Sequence, residues 1–406
     1  MRLVQASEQP AIPLAERLTG LRAVRDFLAD EPPELVALLT EVATHQAVRY
    51  EIATAVRTLD GALDEVTRNR PPLRDSLAAF MPSNILLYSY VLYHLVPSLF
   101  VRRLRFRPAS SVSDQTMRLH KMLEPLHGIP VTADTSSQRV FLDSVIGVDD
   151  VVVFTGTYQN AEKIRAQLAP DQLFLFLGSG INPFVVAPGA NVADAVRDAV
   201  DIRLLNAGQD CLAPDIFFLH KSLLDDFLSG IIVELDQLRY GPYDDPDAGY
   251  GPIFYEGALE SAALHLYRHR RDIVHGGAID FRARRLEPAV LLAELSPRPS
   301  FIEFFTPIFN LVGYEDTAAL GRLLADGSFA ERALGASVYG NAPELVTILS
   351  RRHTVTVDTT LLSIDDGNSA FGGGGPMANY ASWGGSLHPR PILVSAEVAA
   401  CWKADG

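Results

Sequence analysis

The chain has 406 residues, 48% of them hydrophobic and 21% charged, which allows two or three domains around a large core and falls in the range of globular proteins. Lys and Arg number 35 against 49 Asp and Glu, and the net charge of −14 argues against a general nucleic-acid or anionic-membrane surface. Two cysteines, Cys211 and Cys401, cannot build a disulfide framework and point to a reducing, cytoplasmic compartment.

The first residues, MRLVQASEQPAIPLAERL, carry neither the basic start nor the apolar core of a signal peptide. Over 14–67, apolar residues recur at three- and four-residue spacing among good helix formers and predict helices, which NRPPLRD at 69–75 breaks. LAAF predicts a strand. ILLYSYVLYHLVPSLFV, 85–101, predicts a buried helix, because its 17 residues include His94 and Pro97 and sit at the short limit of a membrane span. RRLRFR, PVTA, RVFLD, VDDVVVFTG and QLFLFLG predict strands, with helices at SDQTMRLHKMLEPLHG and YQNAEKIRAQLA between them. Such alternation means βαβ units and a parallel sheet, although no G-x-G-x-x-G phosphate loop is present.

A second α/β region begins near 181. Helices are predicted at NVADAVRDAVDIRLLNAG, KSLLDDFLSGIIVELDQL, ALESAALHLYRHRRDIV, TAALGRLLAD and APELVTILSRR. PDIFFLH, EPAVLLAEL, FFTPIFNLVGY, ASVYG and VTVDTTLLS predict strands. RYGPYDDPDAGYGP and FGGGGPMANYASWGG predict loops, and PRPILVSAEV a late strand that pairs across a subunit boundary.

Cys211 lies in LLNAGQDCLAPDIFFLHKSLLDDF, between a helix and a strand. Alone it reads as a small buried hydrophobe, the usual fate of a free cysteine, and only its surroundings favour a nucleophile. In chain order the sequence also carries PSNILLYSY at 82–90, FRPAS at 106–110, FTGT at 154–157, FLGSGINPFVV at 176–186, EFFTP at 303–307, LGASVYG, and AFGGG at 370–374. In that order these resemble the segments P-W-N-F-P, L-K-P-S-E, F-T-G-S, E-L-G-G-K-N-P-F-I-V, E-x-F-G-P, L-x-A-S-V-F and P-F-G-G of the aldehyde dehydrogenase superfamily, around its F-x-N-x-G-Q-x-C nucleophile motif. The resemblance spans roughly residues 35–390.

The resemblance implies an α/β fold with two open α/β domains, cofactor-binding and catalytic, and a small oligomerisation segment. N-terminal helices and the dinucleotide-binding domain fall in 1–180, the catalytic cysteine domain in 181–368, and a Gly-rich loop with a C-terminal strand returning to the cofactor domain in 369–406. It implies NAD(P)-dependent oxidation of an aldehyde through a hemithioacetal and a thioester on Cys211. The Cys211 N–H and the Asn84 amide would form the oxyanion hole. Thr155 and Gly156 would lie at a strand end near the cofactor, Glu303 would bond the nicotinamide ribose and Phe305 would pack beside it. Where the family has the Lys and Glu of L-K-P-S-E, this chain has Arg107 and Ser110, a pair suited to a 2′-phosphate, so NADP is favoured over NAD.

Other departures bear on mechanism. The Glu opening E-L-G-G-K, the family's general base, corresponds to Phe176, and FLFLFLG offers no Glu in any register. The acyl group is then expected to pass to coenzyme A or a carrier thiol, or the enzyme to reduce a thioester, or hydrolysis to be slow with another base. Asp210 beside the nucleophile would raise the thiol pKa, unless it caps backbone N–H groups or binds a cation. The chain is shorter than usual for the family before MPSN, which implies a homodimer rather than the usual tetramer. A non-redox acyltransferase, condensing enzyme or scaffold on the same fold is the alternative. His265, His269 and His275 lack a zinc spacing and read as a solvated helix face; no metal, membrane or nucleic-acid partner is expected. Tyr88, Tyr90, Phe305 and Trp383, with His388, are candidates for the entrance of a small aldehyde or acyl thioester.

Overall fold

The computed structural model describes residues 13–296 and 302–402. The reading of the first dozen residues as no signal peptide lies outside the described residues. Three helices open the chain: α1 (Leu14–Ala29), α2 (Pro33–Leu39) and α3 (His45–Asn69). Thr44 caps α3 by accepting the Ala47 N–H, and the helix stops where Arg70 turns left-handed.

The first sheet follows: β1 (Arg74–Phe80), α4 (Leu86–Tyr90), β2 (Val101–Arg107), α5 (Ser113–His127), β3 (Val131–Ala133), α6 (Gln138–Val145), β4 (Val151–Thr155), α7 (Tyr158–Arg165) and β5 (Leu173–Leu177). After α4 the chain continues as a π-helical turn, Val91–Leu95, and a 3₁₀ turn, Pro97–Leu99. The strands lie side by side as β3-β2-β1-β4-β5, all parallel. Helices cover both faces, so β4 and β5 read VVVF and LFLF without alternation and bury those residues completely or nearly so. Strand order reverses between β1 and β4, and a sheet of this kind opens its ligand crevice there, beyond the strands' carboxyl ends.

The chain then builds a second sheet from β6 (Pro183–Val186), α8 (Val192–Leu204), β7 (Ile216–His220), α9 (Leu224–Asp236), α10 (Ala258–Arg268), β8 (Ile273–His275), the short pair β9 (Ile279–Asp280) and β10 (Arg285–Leu286), β11 (Ala289–Glu294) and β12 (Ile308–Tyr314). It is completed by α11 (Thr317–Leu324), α12 (Gly327–Ala330), β13 (Gly335–Tyr339), α13 (Pro343–Leu349) and β14 (Thr354–Val357), in the order β14-β13-β6-β7-β12-β11-β8. Strands β15 (Asn379–Trp383) and β16 (Ser386–His388) return to the first sheet, where β15 runs antiparallel to β5, and α14 (Val394–Trp402) ends the described chain. The α/β class with two mainly parallel sheets is therefore as expected.

Four expected elements differ. The helix expected over ALESAALHLYRHRRDIV stops at Arg268, and Ile273 and Val274 lie in β8. RVFLD lies in helix α6, not a strand: Ser137 caps it, and Phe141, Leu142 and Val145 form one buried face. The Gly-rich segment is not all loop, since NYASW is β15. PRPILVSAEV is not a late strand at a subunit boundary. Its end is helix α14, whose Val394 and Val398, four apart, bury in the core shared with α3. Among the described residues no helix is long and apolar enough to cross a membrane.

Candidate active site

The loop carrying Cys211 is held in a costly conformation. Asn206, Ala207 and Gly208 all have positive φ, at 50°, 56° and 81°. For Ala207, with a Cβ, this costs about 1–2 kcal/mol. Gly208 is required by contact as well, because a Cβ there would meet the Thr306 carbonyl at 2.7 Å. Buried hydrogen bonds offset the strain. The Gln209 amide donates to the Asn206 carbonyl and the Tyr243 hydroxyl, both at 3.0 Å, and accepts from the N–H groups of Phe254 and Tyr255. Asn206 accepts the Thr44 N–H at 3.1 Å and ties the loop to the start of α3. Asn182 donates to the Cys211 carbonyl at 2.7 Å and accepts the Gly335 N–H at 3.0 Å.

The loop before β12 is fixed to the same framework. Arg203, fully buried on α8, donates to the carbonyls of Pro214 (3.1 Å), Phe304 (2.7 Å) and Thr306. Burial pushes its guanidinium pKa down to about 10. Asp215 accepts N–H groups from Asn182 at 3.0 Å and Phe304 at 3.3 Å, so one carboxylate joins the loops before β6 and β12. Glu303 accepts the Ser179 hydroxyl at 2.5 Å, and burial and nearby Asp215 hold its pKa above the usual carboxylate range.

These loops precede strands of the second sheet and meet the turns that follow strands of the first. Between them lies a cleft of about 570 Å³ at the point where the first sheet's strand order reverses. Asn84, Thr155, Gly156, Cys211, Glu303 and Phe305 all line it. The Asn84 amide makes no hydrogen bond among the described residues. Next to it Ile85 has φ 45°, an outlier for a β-branched residue worth about 1–3 kcal/mol, at the start of α4. Thr155 pairs its hydroxyl with Tyr93 at 3.0 Å. Arg107 and Ser110 are not in the cleft lining but flank Ala109, which is. Arg107 donates to Ser110 Oγ and to the carbonyls of Ser136 and Pro108. Neighbouring Arg105 is turned to Asp149 and Ser144 instead.

On its other side Cys211 borders a second pocket of about 110 Å³, and Ile85, Thr155, Leu177 and Gly178 border both. Cys211 is half-buried, and burial, then Asp210, Asp365 and Glu303, push its thiol pKa well up, so the resting group is a neutral thiol. Asp210 caps the Leu212 N–H at 2.8 Å, and burial holds its carboxyl up at about 6.

Register corrects one expectation. Thr155 pairs with Leu177 and Phe154 with Phe176 across β4 and β5, so Phe176 faces away from the site, into the rings of Phe154 and Tyr380. Leu177 is the residue that lines both cavities with Cys211, and it too moves no proton. The expected entrance also changes. Tyr88 lines the pocket and Phe305 the cleft. Tyr90 points elsewhere, bonded to His120 and His127, and Trp383 stacks on His388 at 4.1 Å away from both cavities. In the Gly-rich loop a Cβ on Gly373 would meet the carbonyl oxygens of Ala333 and Leu334 at 2.5 Å, so glycine there serves backbone packing. Among the described residues no cluster of His, Cys, Asp or Glu suits a metal ion. The residues that sequence reasoning did not single out are Gln209, Asn182, Ser179, Arg203 and Asp215. Gln209 and Asn182 were visible as the Gln of G-Q-x-C and the Asn of N-P-F; the other three had no local signal.

The sequence model of the aldehyde dehydrogenase family matches residues 141–373, more than half of the chain. A 4,4'-diapolycopene-4,4'-dial dehydrogenase of Cytobacillus firmus is 28% identical over 245 residues, 58% of this chain and 52% of that protein. A succinate-semialdehyde dehydrogenase [NADP(+)] 1 of Mycobacterium tuberculosis is 34% identical over 100 residues, 25% of this chain and 21% of that protein. The chain thus spans about half the length, or less, of the curated relatives it matches. Among solved structures, glyceraldehyde-3-phosphate dehydrogenase of Methanocaldococcus jannaschii complexed with NADP superposes with a TM-score of 0.79 at 16% identity, covering 96% of this chain and 88% of that one. Succinic semialdehyde dehydrogenase of Streptococcus pyogenes in complex with NADP+ gives 0.80 at 14%, covering 95% and 88%. At these identities the likeness is one of fold.

Proposed function

The chain belongs to the aldehyde dehydrogenase family, and from that premise we propose that it oxidises an aldehyde through a thioester on Cys211, with NADP as electron acceptor. The observation that carries this is the position of Cys211 at the junction of a cleft and a separate apolar pocket. A cofactor in the first and a substrate in the second would meet at Cys211, the one thiol of the wall that Ile85, Thr155, Leu177 and Gly178 share with it.

The cleft fits a dinucleotide. Its volume of about 570 Å³ is that of a small-molecule site, and it opens where a doubly wound sheet takes nucleotides. Arg107 and Ser110 flank it with two donors for a 2′-phosphate, and Glu303 offers its carboxylate to ribose hydroxyls. NADP in both structural neighbours agrees with that pair. Bound there, the nicotinamide would supply a hydride acceptor for the substrate carbon.

The chain's own residues do the rest. Cys211 must lose its proton to water, then its sulfur adds to the aldehyde carbon and the carbonyl electrons move to oxygen. The Asn84 amide, free of other bonds, and the Cys211 N–H would stabilise that oxyanion. The second half of the reaction lacks its usual base, since Leu177 stands where a proton carrier is expected. A thioester on Cys211 is therefore long-lived in water and open to a second thiol, coenzyme A or a carrier. Intact-protein mass spectrometry after incubation with NADP and aldehydes tests this, with Cys211→Ala as control. The expected result is a Cys211-dependent acyl adduct that persists in buffer and clears with added thiol. Absence of any adduct, with no thermal shift by either nucleotide, would end the oxidoreductase reading.

A further inference from the structure

The pocket beyond Cys211 has a charge pattern that the chemistry above does not use. Its titratable lining includes the carboxyl groups of Glu51, Glu65, Asp210, Asp365 and Asp366, and among the described residues no Lys, Arg or His lines it. Glu51, 5% exposed, accepts the Tyr88 N–H at 2.9 Å. Asp365 accepts the hydroxyls of Tyr50 and Tyr88 at 3.0 and 3.2 Å. Burial raises the pKa of Glu51 to about 7, and burial also holds the Asp365 carboxyl above the ordinary carboxylate range. Two arginines of α3 come near without lining it: Arg57 donates to Thr54 Oγ and Arg68 to the Asn368 carbonyl. The remaining wall is apolar, including Leu92, Val96, Phe100, Leu212, Phe371 and Ile392. Asp366 and Ser369 are exposed, so the pocket reaches solvent past an acidic residue.

We propose that this pocket takes a short, uncharged aliphatic aldehyde and rejects aldehydes whose far end carries a carboxylate. The proposal rests on the reading of Cys211 as the nucleophile. An anion entering here would leave water for a site whose described lining holds no cationic side chain and would face carboxyl groups on several sides. A hydrocarbon chain loses nothing of that kind and covers the apolar wall. Size sets the rest. At about 110 Å³ the pocket is smaller than a 150 Å³ cavity known to hold benzene, so a chain of about four carbons, of benzene's bulk or less, fits and a fused ring system does not.

Two measurements test the pocket, and the first needs neither cofactor nor turnover. Alkylation of Cys211 is followed at its own peptide with neutral iodoacetamide and anionic iodoacetate, on folded and on urea-unfolded chain. The folded protein should disfavour iodoacetate by roughly tenfold beyond the unfolded ratio, and Asp365→Asn or Glu51→Gln should each narrow that gap. A ratio equal to that of the unfolded chain overturns the proposal. The second compares kcat/KM for butanal and succinic semialdehyde, chains of equal length. Butanal should lead by roughly a hundredfold. Equal or better use of succinic semialdehyde overturns the proposal. If neither aldehyde is oxidised while the alkylation bias holds, the oxidoreductase reading fails and the pocket's charge selection stands.

Discussion

The cleft and the pocket share one thiol but are built from different material. The cleft is made mainly of turns that follow β1, β2, β4 and β5 and of loops that precede β6, β7 and β12, with the start of α10 as a further wall, so its place follows largely from strand order. The pocket is walled largely by side chains of α3, of the helical run after Ile85 and of the segments around Asp365 and Ile392. A site set by strand order keeps its place while sequence drifts, whereas a site set by side chains changes with each substitution. The cleft therefore speaks to the reaction class, and the pocket to the substrate.

The largest effect expected from breaking the cleft alone is at Asn84. If its amide stabilises the oxyanion, Asn84→Ala should lower kcat by roughly 10²–10³-fold. Alkylation of Cys211 by iodoacetamide, which needs no oxyanion donor, should stay within about twofold of the parent. A parallel fall in alkylation would mean that the substitution disturbs the Cys211 loop, and the oxyanion role would be lost.

Next comes the framework under the thiol. Gln209→Ala leaves two N–H donors, those of Phe254 and Tyr255, without their acceptor in a buried place. The expected loss is about 1–3 kcal/mol of stability, read as a lower midpoint in urea at unchanged slope. A loss well under 1 kcal/mol would mean that water or the Tyr243 hydroxyl replaces the amide, and that the loop is less tightly fixed than its bonds suggest.

Acid–base behaviour sharpens the contrast between the two sides. Burial and the carboxyl groups of Asp210, Asp365 and Glu303 all favour the neutral thiol, so the folded pKa of Cys211 lies above its ordinary value. Between pH 6 and 9 the thiolate is then a small fraction that grows about tenfold per pH unit, and iodoacetamide alkylation should rise with it without a plateau. A plateau near neutral pH would show a depressed pKa and contradict the electrostatics of both cavities. Asp365→Asn removes one of the carboxyl groups and should raise the alkylation rate at pH 7.

How far all this was legible in the sequence follows the same division. Strand runs such as VVVF and LFLF, and the order of short motifs around GQDC, were enough for the two-sheet fold and for bringing Asn84, Thr155 and Cys211 to one cleft. RVFLD misled because five residues do not separate a strand from a short amphipathic helix; the better signal was Ser137 at the cap. PRPILVSAEV looked extended at its prolines, while the helical spacing of Val394 and Val398 came after them. Which of Phe176 and Leu177 lines the cavities beside Cys211 is a matter of strand parity, and a one-residue slip exchanges the two faces. The pocket was nearly invisible: Glu51 and Asp365 are over 300 positions apart, and only packing brings both to it.

The smallest effect is expected at the edge of the cleft, where the choice of nucleotide is made. Arg107 is already engaged by Ser110 Oγ and two carbonyls, so a 2′-phosphate would gain a held guanidinium rather than a free one. A charge-assisted contact with such a group is worth about 1.5–3 kcal/mol, and partial exposure brings the expected loss to the lower end. Arg107→Ala should then weaken NADP binding about tenfold in calorimetry while NAD binding changes little, because NAD has no phosphate at that position. Binding is the right readout, since it does not depend on which aldehyde is offered. An equal loss for both nucleotides would make Arg107 a brace for the turn after β2. No loss for either would place the adenosine ribose elsewhere and leave the nucleotide preference to residues outside the pair with Ser110.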